Sequence, residues 1–199
     1  MLNRKDEKLV GKIPETIQEA MEGEDIFPFC IQHEYRRFYQ MISDEQISGA
    51  WLELRDLLEV LLKMPVFLGF SYLIQLETEN TPEIEEICKM ILKRQLSLGD
   101  WQVIAQRLQR YRLIRDNLPS VAKVLENVLR LYREKNVVSW RNQVAHGALP
   151  FEEETNFWDD LIEISKGIDD CMEATIEAYQ EMKLGTFYKS REQESDIFE

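Results

Sequence analysis

The stretch from Glu45 to Leu76, EQISGAWLELRDLLEVLLKMPVFLGFSYLIQL, decides the fold. Its apolar residues recur at steps of three and four, which predicts one continuous helical face made of Trp51, Leu54, Leu58, Leu61 and Leu62. Pro65 lacks a backbone donor, so we expect it to kink or split this helix. Past Pro65 the sequence is apolar nearly all round, as in the central helix of a bundle. Because Glu59 and Lys63 interrupt the apolar run, we predict a buried helix rather than a membrane span.

The rest of the chain also predicts helices. It has only 8 glycines and 6 prolines in 199 residues, and no useful strand alternation is present. Helix starts are predicted near Pro28, Pro82, Ser97, Pro119, Val137 and Pro150. The last helix is expected to reach about Lys183. We therefore predict an all-α protein with a polar extension and short helix at 1–26, a helical domain at 27–183 and a polar tail at 184–199.

The composition excludes several classes of protein. The chain carries 24 basic and 37 acidic residues and a net charge of −13, so its whole surface should not coat nucleic acid. Its three cysteines form no C-x-x-C pair, which argues against a disulfide scaffold and favours a reducing compartment. Two histidines are too few for a His-rich metal site, so no metal cofactor is expected. The polar N-terminus lacks a signal-peptide core, and we expect a cytoplasmic protein.

The positive charge is concentrated in one segment. Residues 89–141 hold 12 of the 24 basic side chains and only 4 acidic ones, a net charge of +8. One interpretation is a phosphate-facing groove in an otherwise acidic protein. The alternative is that these side chains pair with the acidic helices on either side. The candidates for the positive face are Lys93, Arg94, Arg107, Arg110, Arg112, Arg115, Arg130, Arg133, Lys135 and Arg141.

The most informative motif is SWRNQVAHG, from Ser139 to Gly147. On a helix, Asn142 and His146 lie four residues apart and share a face, toward which the long Arg141 side chain can fold. Arginine presents a permanently charged fork to phosphate oxygens, and histidine titrates near neutrality and can move a proton. This group of side chains suits phosphodiester chemistry.

The segment RNQVAHG, from Arg141 to Gly147, resembles the signature of the HEPN superfamily. SLGDW, from Ser97 to Trp101, resembles a second element of a bacterial HEPN-like group that is often a module of larger defence and signalling proteins. The resemblance covers about residues 27–183. It implies an up-and-down HEPN-like helical bundle that forms a homodimer.

The resemblance also implies an activity. Catalytic HEPN members are metal-independent ribonucleases in which two protomers line one cleft. By that analogy Arg141 would hold the scissile phosphate, His146 would transfer protons, and Asn142 would orient His146 or bind phosphate. The products would carry a 2′,3′-cyclic phosphate and a 5′-hydroxyl. Such a toxin or defence effector would need an antitoxin or a larger regulatory partner.

RNA contacts outside the motif are expected from the basic segment. Arg107, Arg110 and Arg133 are predicted to bind RNA, with Trp140, which adjoins Arg141, as a candidate for base stacking. The competing interpretation is that tryptophans such as Trp140 anchor the core or an interface.

A second function remains open at this point. Many HEPN-like domains do not cut RNA and act as adaptor or regulatory modules that bind a protein or a nucleotide. In such a protein Arg141 could pair with Glu152 or Glu153, and His146 could cap helix carbonyls.

Overall fold

The computed structural model describes residues 12–22, 26–75, 82–93, 95–145 and 154–182, and every regular element in these ranges is an α-helix. The all-α prediction is confirmed. The helices are α1 (Glu15–Glu22), α2 (Phe29–Ser43), α3 (Ile47–Gln75), α4 (Pro82–Lys93), α5 (Leu98–Arg110), α6 (Arg112–Asn117), α7 (Pro119–Glu134), α8 (Val137–Ala145) and α9 (Glu154–Glu173). Residues 176–182 are also helical.

Helix α5 begins at the predicted capping box. The backbone N–H of Asp100 donates to Ser97 Oγ at 3.2 Å, and the N–H of Ser97 donates to Asp100 Oδ2 at 3.0 Å. Two backbone donors at the helix start are thereby satisfied. The SLGDW element therefore has a local structural role: it fixes where α5 starts.

Helix α3 runs through Pro65 without a break, so of the kink or split expected there, the split does not occur. A proline inside a helix costs about 3 kcal/mol or more. Here the neighbouring residues Leu61, Leu62 and Val66 are all almost fully buried. Their burial, at about 1.5–3 kcal/mol for each large apolar side chain, exceeds the local cost of the proline.

The predicted final helix is interrupted. A turn at residues 174–175 separates α9 from the helical residues 176–182. The buried Thr175 hydroxyl donates to the carbonyls of Cys171 at 3.0 Å and Met172 at 2.9 Å. Such side-chain bonds compete with the backbone bonds of a continuous helix, which explains the break. The predicted start at Pro150 lies outside the described residues.

The core is built around α3, which packs against α2, α5 and α7. Five α3 leucines, Leu54, Leu57, Leu58, Leu61 and Leu62, are at most 2% exposed. Towards the C-terminus, helix α9 packs against α7 and α1. Helix α1 adds buried Ile17 and Met21 to the same core, so this short N-terminal helix is part of the packed structure.

Residues Ser48–Gln75 of α3 form one helix that is long and apolar enough to cross a membrane, judged by length and composition alone. The core helix of a globular protein meets the same criterion. In the structure, the contacts with α2, α5 and α7 cover the leucine-rich face of α3.

A partly buried carboxylate joins α2 to α9. Asp169 accepts a hydrogen bond from the Tyr35 hydroxyl at 2.7 Å and from the Tyr39 hydroxyl at 2.6 Å. Burial raises the pKa of Asp169 to about 6, and the neighbouring Asp170 and Glu173 raise it further, while both tyrosine hydrogen bonds lower it. The folded protein therefore binds a proton at Asp169 more tightly than the unfolded chain does.

This difference predicts a pH dependence of stability. Because the folded-state pKa of about 6 exceeds the ordinary 3.8, protonation favours folding, and this contribution is lost as the pH rises through 6. From pH 7.5 to pH 5.0 the unfolding free energy of the wild type should rise by about 1 kcal/mol relative to that of Asp169→Asn. Urea titrations at the two pH values measure this, with exposed Asp160→Asn as the control. Parallel pH profiles for the wild type and Asp169→Asn would contradict the assignment.

Candidate functional site

Two of the three predicted catalytic residues lie in the described part of the chain. Arg141 and Asn142 are both on α8, with Arg141 half-buried and Asn142 exposed. His146 lies outside the described residues. The structure therefore shows the surroundings of the arginine, and the proximity of the histidine stays a prediction.

Arg141 points toward α3. Its Nη2 donates to Glu59 Oε1 at 3.3 Å, and its side chain is 30% exposed. The other oxygen of Glu59 accepts from Lys63 at 2.6 Å. The Nε of Arg141 is buried and has no hydrogen-bond partner among the described residues. A single long bond to a carboxylate that already holds Lys63 leaves the guanidinium only partly satisfied.

The two sequence elements meet around this carboxylate. Lys63 Nζ lies 5.8 Å from the centre of the Trp101 ring, so the SLGDW tryptophan and Arg141 both lie next to the Glu59–Lys63 pair. A methyl group added at Gly99 would lie 3.7 Å from Val138 Cγ1, which shows that the start of α5 packs against α8. The structure brings together two segments about forty residues apart in the chain.

Trp140 has a packing role. Its ring stacks on Trp51 of α3 at 4.9 Å between centroids and 27° between planes, and Trp51 is 2% exposed. One face of Trp140 is therefore covered by the fold. The residue also borders a small cleft of about 240 Å³ with Ser139 and Glu163. A base could approach Trp140 from that cleft.

A larger cleft of about 510 Å³ lies between α5 and α7. Two of the predicted RNA-binding residues, Arg110 and Arg133, line it together with Arg130. Among the described residues, no ion pair joins any of these three arginines to an acid. The remaining lining residues are Gln102, Gln106, Gln109, Glu126, Leu129, Tyr132, Asn136 and Val138.

The other basic residues of the segment are largely neutralised. Arg107, also predicted to bind RNA, pairs with Glu86 of α4 at 2.7 Å and does not line the cleft. Arg112 pairs with Asp116 at 3.1 Å, and Lys135 pairs with Glu163 at 2.9 Å. Pairing with acids therefore accounts for part of the basic segment, and a phosphate-facing groove at the cleft stays a prediction. Within the basic segment, the three arginines of the cleft and the exposed Arg115 have no ion pair with an acid of the described residues, and the side chains of Lys93 and Arg94 lie outside the described part of the chain.

Tyr132 connects the cleft to the core. Its hydroxyl donates to the Leu58 carbonyl at 2.7 Å, and burial raises the pKa of this hydroxyl well above its ordinary value. A permanently neutral hydroxyl committed to a backbone carbonyl positions α7 on α3. It does not supply or remove protons.

The three glutamines of the cleft are not among the site residues predicted from the sequence. Gln102, Gln106 and Gln109 recur at steps of four and three on α5, so they share one face of the helix. That spacing was visible in the sequence. These glutamines line a cleft only because α7 lies opposite them, and the sequence does not show that packing.

Metal binding has no obvious place in the described parts of the chain, where no group of three or more His, Cys, Asp or Glu side chains could hold an ion. Comparisons with protein-family models, with curated proteins and with solved structures gave no significant match to this chain.

The Glu59 contacts predict a measurable coupling. In a double-mutant cycle of Glu59→Gln and Arg141→Gln, we expect a coupling energy of about 0.5–1 kcal/mol in urea unfolding, because both side chains are mostly shielded from solvent. The matched control is the exposed Lys123–Glu126 pair at 3.7 Å, for which we expect coupling near zero. Equal coupling energies in the two cycles would show that the Arg141–Glu59 contact stabilises the fold no more than an exposed ion pair does.

Proposed function

We propose that this chain is an HEPN-like helical module that pairs as a homodimer and cleaves RNA without a metal, as a cytoplasmic toxin or defence effector. In this proposal Arg141 holds the scissile phosphate and stabilises its transition-state charge, and His146 moves the proton. Asn142 orients His146 or binds phosphate. RNA is the substrate, and an antitoxin or a larger defence-system protein restrains the activity.

The observation that carries the proposal is the cleft lined by Arg110, Arg130 and Arg133. The chain has 37 acidic residues, and most other arginines and lysines of its basic segment form an ion pair with one of these acids. Three guanidinium groups around one concavity repel each other unless an anion lies between them. A polyanion such as RNA supplies that charge while the acidic remainder of the surface repels it.

The position of Arg141 is compatible with this role. Val138 lines the cleft from α8, and Arg141 follows it by less than one turn on the same helix. The single 3.3 Å bond to Glu59 holds the guanidinium in place without occupying all of its donors. Asn142 is exposed on the adjacent face of α8, where a second strand or protomer can reach it.

The test is cleavage of a mixed fluorescent RNA pool in EDTA. We expect the wild type to cut and to leave 2′,3′-cyclic phosphate ends, and His146→Ala and Asn142→Ala to lose at least tenfold in rate. Arg141→Lys keeps a cation near Glu59 but loses the planar fork, so it should retain the fold and lose activity.

Circular dichroism and urea unfolding verify that each variant is folded. Equal cutting by the wild type and His146→Ala would point to a contaminant and contradict the proposed site, and intact RNA with folded wild type would contradict ribonuclease activity.

A second candidate is a non-catalytic HEPN-like adaptor that binds a nucleotide or an acidic protein. The observations that favour it are the Arg141–Glu59 pair and the Trp140–Trp51 stack, because both motif residues then serve packing between α8 and α3. Under this function the wild type leaves RNA intact while the arginine cleft still binds an anionic partner.

A further inference from the structure

The cleft between α5 and α7 has two chemically different walls. Helix α7 presents the guanidinium groups of Arg130 and Arg133, and Arg110 joins them from the end of α5. Along the rest of α5 the cleft is faced by Gln102, Gln106 and Gln109, which are neutral amides. One wall is therefore suited to bind phosphates, and the other can both donate and accept hydrogen bonds.

The cationic wall is held in place by a buried amide. Arg130 Nη2 donates to Asn127 Oδ1 at 2.8 Å, and Asn127 is only 3% exposed. Asn127 is itself fixed, because its Nδ2 donates to the Lys123 carbonyl one turn earlier at 2.9 Å. The guanidinium of Arg130 is thus oriented by a side chain that is almost fully shielded from solvent. Such preorganisation lowers the cost of ordering the arginine on a ligand.

The charge around the cleft is consistent with an anionic ligand. Glu126 is the acid among the lining residues, and Lys123 lies 3.7 Å from its carboxylate. The volume of about 510 Å³ falls in the range of sites for one small ligand, which corresponds to one or two nucleotides. The amide row from Gln102 to Gln109 spans eight residues of helix, a rise of about 10 Å, and can face more than one base.

We propose that this cleft binds a short single-stranded segment of the RNA, with Arg130 and Arg133 on its phosphates and the glutamines of α5 on its base edges. Gln102 and Gln106 then determine which bases are preferred, because amide side chains form paired hydrogen bonds with base edges. The inference rests on the proposed function for its ligand class. It does not depend on the catalytic step.

The experiment measures binding separately from cleavage. Fluorescence anisotropy records the binding of labelled 12-nucleotide single strands of A, C and U to the full chain carrying His146→Ala, in EDTA, over a range of salt concentrations. Arg130→Gln/Arg133→Gln should weaken binding to all three strands by roughly tenfold or more. The slope of the logarithm of the binding constant against the logarithm of the salt concentration should become shallower by about 0.7 for each lost phosphate contact. Gln102→Ala/Gln106→Ala should instead narrow the spread of Kd among the three strands and leave the salt dependence unchanged.

The matched control is Arg112→Gln/Arg115→Gln, which removes the same charge from exposed positions of α6 outside the cleft. An equal loss of RNA affinity in the control and in the α7 variant would overturn the proposal in favour of diffuse electrostatic attraction. Tight binding of ATP that the α7 variant abolishes, with no RNA binding, would overturn it in favour of a nucleotide site.

If RNA binds as expected but the wild type does not cut, the cleft proposal stands and the ribonuclease proposal fails. If the wild type cuts and the cleft variants bind and cut like it, the cleft proposal alone fails.

Discussion

The burial of α3 is the constraint on which the rest of the structure depends. Its leucines are covered by α2, α5 and α7, and this burial is strong enough to keep the helix continuous through Pro65. A helix covered in this way can carry charges only where they find partners. Glu59 and Lys63 are such charges, and Arg141 completes their arrangement. The packing of α3 therefore places Trp140 and Arg141 of α8 against α3, near the start of α5.

The distribution of charge follows from the same packing. Helices α5 and α7 lie next to each other on α3, so arginines from two parts of the sequence meet in one cleft. Nearby basic residues such as Arg107 and Lys135 face helices that carry acids, and they are paired. Arg130 is held by Asn127 instead, and an amide leaves its positive charge in place. The result is a small positive surface on a protein whose net charge is −13.

Local signals predicted much of the fold. The capping box at Ser97 and Asp100 and the proline at the start of α7 were recognisable because they act within one helical turn. Tertiary effects were not recognisable. Of the kink or split expected at Pro65, the split does not occur in a helix whose leucines are buried, and the break at 174–175, beside the buried Thr175, was not predicted. The break between α5 and α6 at Tyr111 was also not predicted.

The candidate site was predictable to a similar extent. Arg110 and Arg133 were identified from charge density alone, and both line the cleft. Arg107 was identified by the same reasoning and pairs with Glu86, which is distant in sequence and adjacent in space. The glutamines of α5 carry no charge, so no charge-based argument could find them. Their role depends on α7 facing them across the cleft.

The most direct measurement is to locate bound RNA on the protein. The full chain is crosslinked to single-stranded RNA containing 4-thiouridine, and the modified peptides are identified by mass spectrometry. The account predicts crosslinks in α5, α7 and α8, between Gln102 and Asn142, with few on α1, α2 or α9. Crosslinks concentrated on α1, α2 or α9, or no crosslinks to folded protein, would contradict an RNA-binding function for this fold.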